Sequence, residues 1–143
     1  MRRDEAEWWG SLRARLWPDA DPGELAAEAL EFIDGGRMPA IEAVFVAKDD
    51  EPAVGFIEIA VRPFADGCRS MPVPHVEGWY VEPSARGRGV GRALLEAAEQ
   101  WARARGFSEI ASDCEINNHG SIAAHGCCGF VETERLVKFR KDL

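Results

Sequence analysis

Gly78-Trp79-Tyr80-Val81-Glu82-Pro83-Ser84-Ala85-Arg86-Gly87-Arg88-Gly89-Val90-Gly91-Arg92-Ala93-Leu94-Leu95 reads as a short strand, a glycine-rich turn and a helix. Pro83 has no amide to give a ladder and biases Glu82 toward extended geometry, so the strand stops there. Gly87, Gly89 and Gly91 allow a tight turn and leave amides uncovered by Cβ atoms. The helix that follows aims its unpaired N–H groups and positive dipole end at the turn. Such a turn cradles an anion, above all a phosphate or pyrophosphate. An arginine-rich surface loop that merely caps a helix is the plainer alternative; strand, glycine turn and helix in this order favour the cradle. No Gly-Lys-Ser/Thr closes the run as in a P-loop, and the glycine spacing is not the Gly-x-Gly-x-x-Gly of dinucleotide folds.

Upstream, residues 4–16 place Trp8, Trp9, Leu12 and Leu16 at near-helical spacing, and Trp17-Pro18 ends that helix. Asp21-Pro22-Gly23-Glu24 is a start signal for a second helix, with Asp21 as N-cap, and Gly35-Gly36 stops it. Residues 41–47 and 52–61 read as a hairpin across a polar turn, and 62–73 as a loop. Beyond the opening stretch, residues 89–105 form a long amphipathic helix ended by Gly106. A strand at 107–113, a short helix at 118–128 and a closing strand or hairpin at 130–140 complete the chain. The expectation is one α/β (α+β) domain spanning residues 1–143.

With 46% hydrophobic and 29% charged residues the composition is that of an ordinary soluble domain able to bury a core. No apolar run reaches the ~18 residues of a membrane span. Asp4-Glu5 stands where a signal peptide has its apolar segment, so neither membrane nor export is expected and a cytoplasmic location is the default. Cys68, Cys114, Cys127 and Cys128 form no Cys-x-x-Cys pair and have no clustered histidines. No metal is expected, and the thiols read as reduced and mostly buried. A net charge of −8 repels nucleic acid and favours cationic partners.

Arg86-Gly87-Arg88-Gly89-Val90-Gly91 resembles the acetyl-CoA signature Gln/Arg-x-x-Gly-x-Gly/Ala of the GNAT superfamily of N-acetyltransferases. The resemblance implies a mixed, mostly antiparallel twisted sheet flanked by helices, with acetyl-CoA in the cleft where strands splay. It implies that Trp79, Tyr80 and Val81 offer a backbone edge to pantetheine. Arg86, Gly87, Arg88, Gly89, Val90, Gly91 and Arg92 then hold the pyrophosphate, and Asn118 and Ser121 contact the same arm. The family also implies a strand before the first helix, where only Met1-Arg2-Arg3 stand here, and a homodimer.

The acceptor is suggested by the last third of the chain. Ser112-Asp113, Asn118, Ser121, His125 and Gly129-Phe130-Val131-Glu132-Thr133 resemble the aminoglycoside 6′-N-acetyltransferases, as do Leu16-Trp17, Gly55-Phe56-Ile57-Glu58, Arg62, Gly67 and Pro74. An ammonium is not nucleophilic, so a base must take its proton before attack on the thioester. The resemblance puts Asp113 at the base position, although a cap for the following helix also suits that residue. Glu77 and Glu132 match positions that hold ammonium groups, and Glu77 is the alternative base. The resemblance also makes the backbone near Val81 the oxyanion donor. His125, where many members have tyrosine, is matched to the leaving thiolate, with a core or capping histidine as the alternative. Trp17 suits a sugar ring or bound cation, or else core packing. Phe64 stands where the family often has tyrosine, and Asp66 is a further ammonium contact. A polyamine or peptide N-terminus as acceptor, and a non-catalytic acyl-CoA-binding module, are the competing readings.

Overall fold

The computed structural model describes residues 2–36, 40–49 and 52–143. Helices α1 (Arg3–Leu16) and α2 (Pro22–Ile33) come first. Strands β1 (Ile41–Lys48), β2 (Ala53–Arg62) and β3 (Val73–Val81) follow, then a one-turn 3-10 helix at Pro83–Ala85 and helix α3 (Val90–Ala104). Strand β4 (Ala111–Ser112) and helix α4 (His119–Cys127) end the regular structure. The sheet order is β1-β2-β3-β4, with the first three antiparallel and β4 parallel to β3. The expected mixed, mostly antiparallel sheet is therefore present.

The start signal at Asp21 works as its chemistry requires: its carboxylate accepts the Glu24 amide at 2.9 Å, and Pro22 occupies the first turn. The α1–α2 hairpin covers one face of the sheet, where Trp9, Leu12, Ala29 and Phe56 are buried together. Helix α3 covers the other face with Leu94, Leu95 and Ala98 against Ile57, Ile59 and Val76. Alternation along β2 separates these sets, since consecutive strand residues point to opposite faces. Phe56 and Glu58 face α1, while Ile57 and Ile59 face α3.

Glu58 is a carboxylate in the α1 core, 1% exposed. It accepts the Trp9 Nε1–H at 2.7 Å and lies 2.8 Å from Arg13 Nε. Arg13 also donates to the Leu25 carbonyl at 3.2 Å and to Glu28 at 2.8 Å, which ties α1 to α2. Its guanidinium lies 5.3 Å from the centroid of Trp9 and 5.2 Å from that of Trp17. A buried ion pair of this kind fixes geometry more than it adds stability.

Several expectations are corrected. Only Ala111 and Ser112 of the strand expected at 107–113 enter the sheet, pairing with His75 and Val76. Residues 130–140 form no strand: they have no ladder partner among the described residues and are almost wholly exposed. The departure from the family pattern at the first residues holds, and no strand precedes α1 among the described residues. Gly91 belongs to α3 and not to the turn. None of the four cysteines is buried, because 114 and 127 lie on exposed stretches around α4 and Cys68 is in the open loop after β2. The turn at 50–51 and the α2–β1 connection at 37–39 lie outside the described residues.

Burial pushes the Glu58 carboxyl up to about 7, while Arg13 and the Trp9 N–H pull in the opposite direction. The folded state therefore binds this proton more tightly than the unfolded chain. The stability from Glu58 is present in full below its unfolded value of about 4.5 and is lost as pH rises through about 7. Denaturant unfolding between pH 4.5 and 7.5 is expected to show stability falling with pH, and Glu58→Gln is expected to flatten that slope. An unchanged slope in the variant assigns the dependence to other groups.

Candidate active site

The register of β2 and β3 slips by one residue: Glu58 pairs with Gly78, Ile59 with Val76, and Glu77 is left over. Such a bulge bends a strand and re-aims a side chain. Here it turns Glu77 to Arg62 on the neighbouring strand, which donates from Nε and Nη2 to the two carboxylate oxygens at 2.7 Å each. Asp113, just past β4, lies with its Oδ2 3.9 Å from Arg62 Nη1. His75, two residues before Glu77, is buried between the carboxylates, with Nδ1 3.3 Å from Glu77 and Nε2 3.4 Å from Asp113. Four groups from β2, β3 and the end of β4 thus meet at one place.

Beside them opens a cavity of about 720 Å³, lined by Trp17, Arg13, Glu28, Glu58, Arg62 and Glu77 among others. Trp17, the C-cap of α1, reaches Gly78 so closely that an added Cβ there would stand 2.9 Å from its ring. The missing side chain is what lets the indole roof the bulge. Thr133 packs on Gly67: an added Cβ at that glycine would meet Thr133 at 2.4 Å. The loop bearing exposed Phe64 and Asp66 therefore runs against the segment bearing Glu132. Glu109 anchors that loop by accepting the Arg69 and Ser70 amides and the Ser70 hydroxyl, and these bonds hold its carboxyl down at about 2.

On the donor side, Gly87 and Gly89 take positive φ of 74° and 83°, and an added Cβ at either would meet nothing within 4 Å. No side chain caps Gly89, so the first amides of α3 face the turn without a side-chain partner. Trp79 packs its ring against Gly91 and leaves Nε1 buried without a hydrogen-bond partner among the described residues. Open amides at a helix N-terminus and an orphaned indole N–H fit an elongated phosphorylated ligand lying along the end of β3.

The pattern of the Acetyltransferase (GNAT) family matches residues 6–130. The chain is 48% identical over 141 residues to an aminoglycoside N(6′)-acetyltransferase type 1 of Klebsiella aerogenes, covering 98% of this chain and 91% of that one. It is 38% identical over 142 residues to the enzyme of the same name from Serratia marcescens, covering 98% and 94%. The solved structure of AAC(6′)-Iy with the bisubstrate analogue CoA-S-monomethyl-acetylneamine superposes with a TM-score of 0.88, at 35% identity, over 100% of this chain and 95% of that one. The chain belongs to the aminoglycoside 6′-N-acetyltransferases of the GNAT family.

Within this acetyltransferase the expected site residues fall into three groups. Asp113, Glu77 and Trp17 lie around the cavity and the bulge. Phe64, Asp66 and Glu132 are exposed on the 62–73 loop and the segment packed against it, and Arg135 already holds both oxygens of Glu132, at 2.6 and 3.2 Å, and lowers its proton affinity. The third group lies along the donor turn, and its arginines are occupied. Arg86 donates from Nε to the Val81 carbonyl at 2.9 Å, with its guanidinium over the Tyr80 ring; Arg88 pairs with Asp49, and Arg92 donates to the Cys127 carbonyl. Asn118 caps α4 by accepting the Ser121 amide at 3.0 Å. His125 sits edge-on to Trp79, with Nε2 2.7 Å from Ser112 Oγ and Nδ1 2.7 Å from the Ser121 carbonyl. A carbonyl only accepts, so Nδ1 carries the proton and Nε2 accepts from Ser112.

Three participants went unassigned by sequence reading. The sequence marks Arg62 only as a family match, and its place opposite Glu77 depends on the bulge. Arg13 has helical spacing but no signal that it is buried. His75 lies in an apolar strand run where a histidine ordinarily packs or hydrogen-bonds.

A methyl at Gly89 would force an alanine into left-handed geometry, which costs roughly 1–2 kcal/mol, and would cover the first amides of α3. Gly89→Ala is expected to raise the acetyl-CoA Kd at least tenfold by calorimetry and to leave the aminoglycoside Kd within twofold. Equal loss for both ligands would place the effect on the fold and not on the turn.

Proposed function

We propose that this acetyltransferase moves the acetyl group of acetyl-CoA to the 6′-amine of an aminoglycoside by direct attack in a ternary complex, thereby conferring resistance. The observation that carries the reading is the pair of carboxylates, Glu77 and Asp113, gathered at the bulge beside a cavity of about 720 Å³ large enough for a polyamine sugar. The relatives named for this reaction support it. Glu77 and Asp113 bind the incoming ammonium and take its proton, and Trp17 supplies an aromatic face to a sugar ring. Phe64, Asp66 and Glu132 complete the acceptor rim. The free amine attacks the thioester carbonyl, the backbone near Val81 steadies the oxyanion, and the C–S bond breaks to release CoA thiolate. His125, braced by Ser112 and Ser121, faces that thiolate. The glycine turn, Trp79, Tyr80, Asn118 and Ser121 hold the CoA arm.

The reading takes residues 1–143 as one domain in a cytoplasmic setting, where unpaired thiols persist. It also takes the enzyme as a homodimer. None of residues 113–143 is buried, although Ile116, Val131, Leu136, Val137 and Phe139 are large and apolar. A tail of this composition with no ladder of its own is a strand in search of a sheet, and a second copy supplies one.

CoA release is expected with kanamycin- or tobramycin-like acceptors, with product mass and fragmentation placing the acetyl group on the 6′-nitrogen. Turnover only with spermidine or an N-terminal peptide would move the acceptor to another amine. Asp113→Asn and Glu77→Gln are each expected to lower kcat by about two orders of magnitude, the scale of a lost general base, with acetyl-CoA affinity kept. Undiminished turnover in one of them removes that residue as the base.

Light scattering at micromolar concentration is expected to give twice the mass of the chain, and Val137→Asp with Phe139→Asp is expected to halve it. A monomer for the unaltered enzyme ends the dimer reading.

A further inference from the structure

His75 is 3% exposed, yet its Nδ1 makes no hydrogen bond among the described residues. The charged groups facing it come from three elements: Arg62 from β2, Glu77 from β3 and Asp113 beyond β4. A neutral imidazole carries one N–H, but two carboxylate oxygens lie against its two nitrogens at 3.3 and 3.4 Å. Whichever nitrogen holds the proton, the other presents a lone pair to an anion. The arrangement is one proton short of full hydrogen bonding. Core packing does not account for it, because an apolar side chain would fill the same space without an unpaired buried nitrogen.

We propose that His75 is the proton store of the reaction: it takes the acceptor ammonium's first proton from Glu77 and holds it, as an imidazolium between Glu77 and Asp113, until product leaves. The proposal rests on the reading of Glu77 and Asp113 as the acceptor carboxylates. The proton count balances. The ammonium N–H bond breaks and its proton passes through the Glu77 carboxylate to His75 Nδ1, leaving a free amine, an imidazolium and two carboxylates. The second proton lost from that nitrogen after attack balances the CoA thiolate, and the stored proton returns to water through Glu77 when the cavity empties. Total charge in the site is the same before and after the first transfer. Without the store, the proton would remain on Glu77, whose two oxygens are both engaged by Arg62 and which is therefore a poor resting place for it. Burial and the Arg62 charge lower the proton affinity of His75, which keeps the imidazole neutral and the store empty before acceptor binds.

His75 acts through Glu77, so it is a positioning and proton-holding residue and not a substrate contact. His75→Asn keeps a polar group and cannot be protonated. It is expected to lower kcat about tenfold or more, to leave KM for aminoglycoside and acetyl-CoA within twofold, and to abolish the acidic limb of the kcat/KM profile. Unchanged kcat with an unchanged acidic limb overturns the proposal. If Glu77→Gln remains impaired in that case, only the store is lost; if Glu77→Gln and Asp113→Asn are both fully active, the carboxylate reading fails with it. Should His75→Asn not fold, imidazole nitrogen NMR of the unaltered enzyme decides. A ring neutral at pH 7, whose proton affinity falls in Glu77→Gln, is the expected result. An imidazolium already present at pH 7 means a store that is full before turnover and overturns the proposal.

Discussion

One surplus residue in β3 sets the layout of the acceptor side. Because Glu58 pairs with Gly78 and Ile59 with Val76, Glu77 has no opposite number and its carboxylate is turned to Arg62. Without the bulge, strict alternation would set Glu77 against the α3 face, away from Trp17 and the cavity. Both neighbours of the bulge are adapted to it. Gly78 is bare enough for the Trp17 ring to rest on it, and Glu58 across the ladder is held by Trp9 and Arg13. The buried ion pair, the two-helix cover and the bulge form one unit.

The electrostatics follow from that unit. Two carboxylates, one guanidinium and one neutral imidazole leave a local excess of negative charge, in keeping with the net −8 of the whole chain. A polycationic acceptor is drawn to such a place, whereas a nucleic acid is repelled. Arg62 prevents the two acids from repelling one another and fixes the plane of Glu77 through a two-pronged bond. The donor side works differently: its arginines are tied up in bonds to the protein, and its anion-binding capacity lies in uncovered amides at the start of α3. In the proposed function, neutral backbone dipoles serve the phosphates and charged side chains serve the amine.

The donor half was legible in the residues because it is local. A proline that ends a strand, glycines that alone tolerate positive φ, and a helix start form a contiguous signal, and the structure keeps it with Gly91 reassigned to the helix. The start of α2 at Asp21 and the β1–β2 hairpin were legible for the same reason. The closing strand expected at 130–140 was not: alternation shows that a segment can lie in a sheet, but the four-stranded sheet of this chain offers it no ladder. Likewise β4 contracts to two residues, since pairing depends on which residues of β3 lie beside it, here His75 and Val76.

What the sequence by itself determined is the acyl-CoA turn, the alternation that sorts β2 into two faces, and the resemblance that names the amine. Each is written in neighbouring residues or in a fixed period, and needs no knowledge of what lies across the sheet. What only the tertiary structure decided is the company each acid keeps. Glu77 meets Arg62 through a one-residue slip, Glu58 is buried against Arg13 from a helix more than forty residues earlier, and His75 lies between one carboxylate on β3 and another just past β4. A register slip and a long-range ion pair leave no periodic trace, because they are relations between segments and not properties of either one.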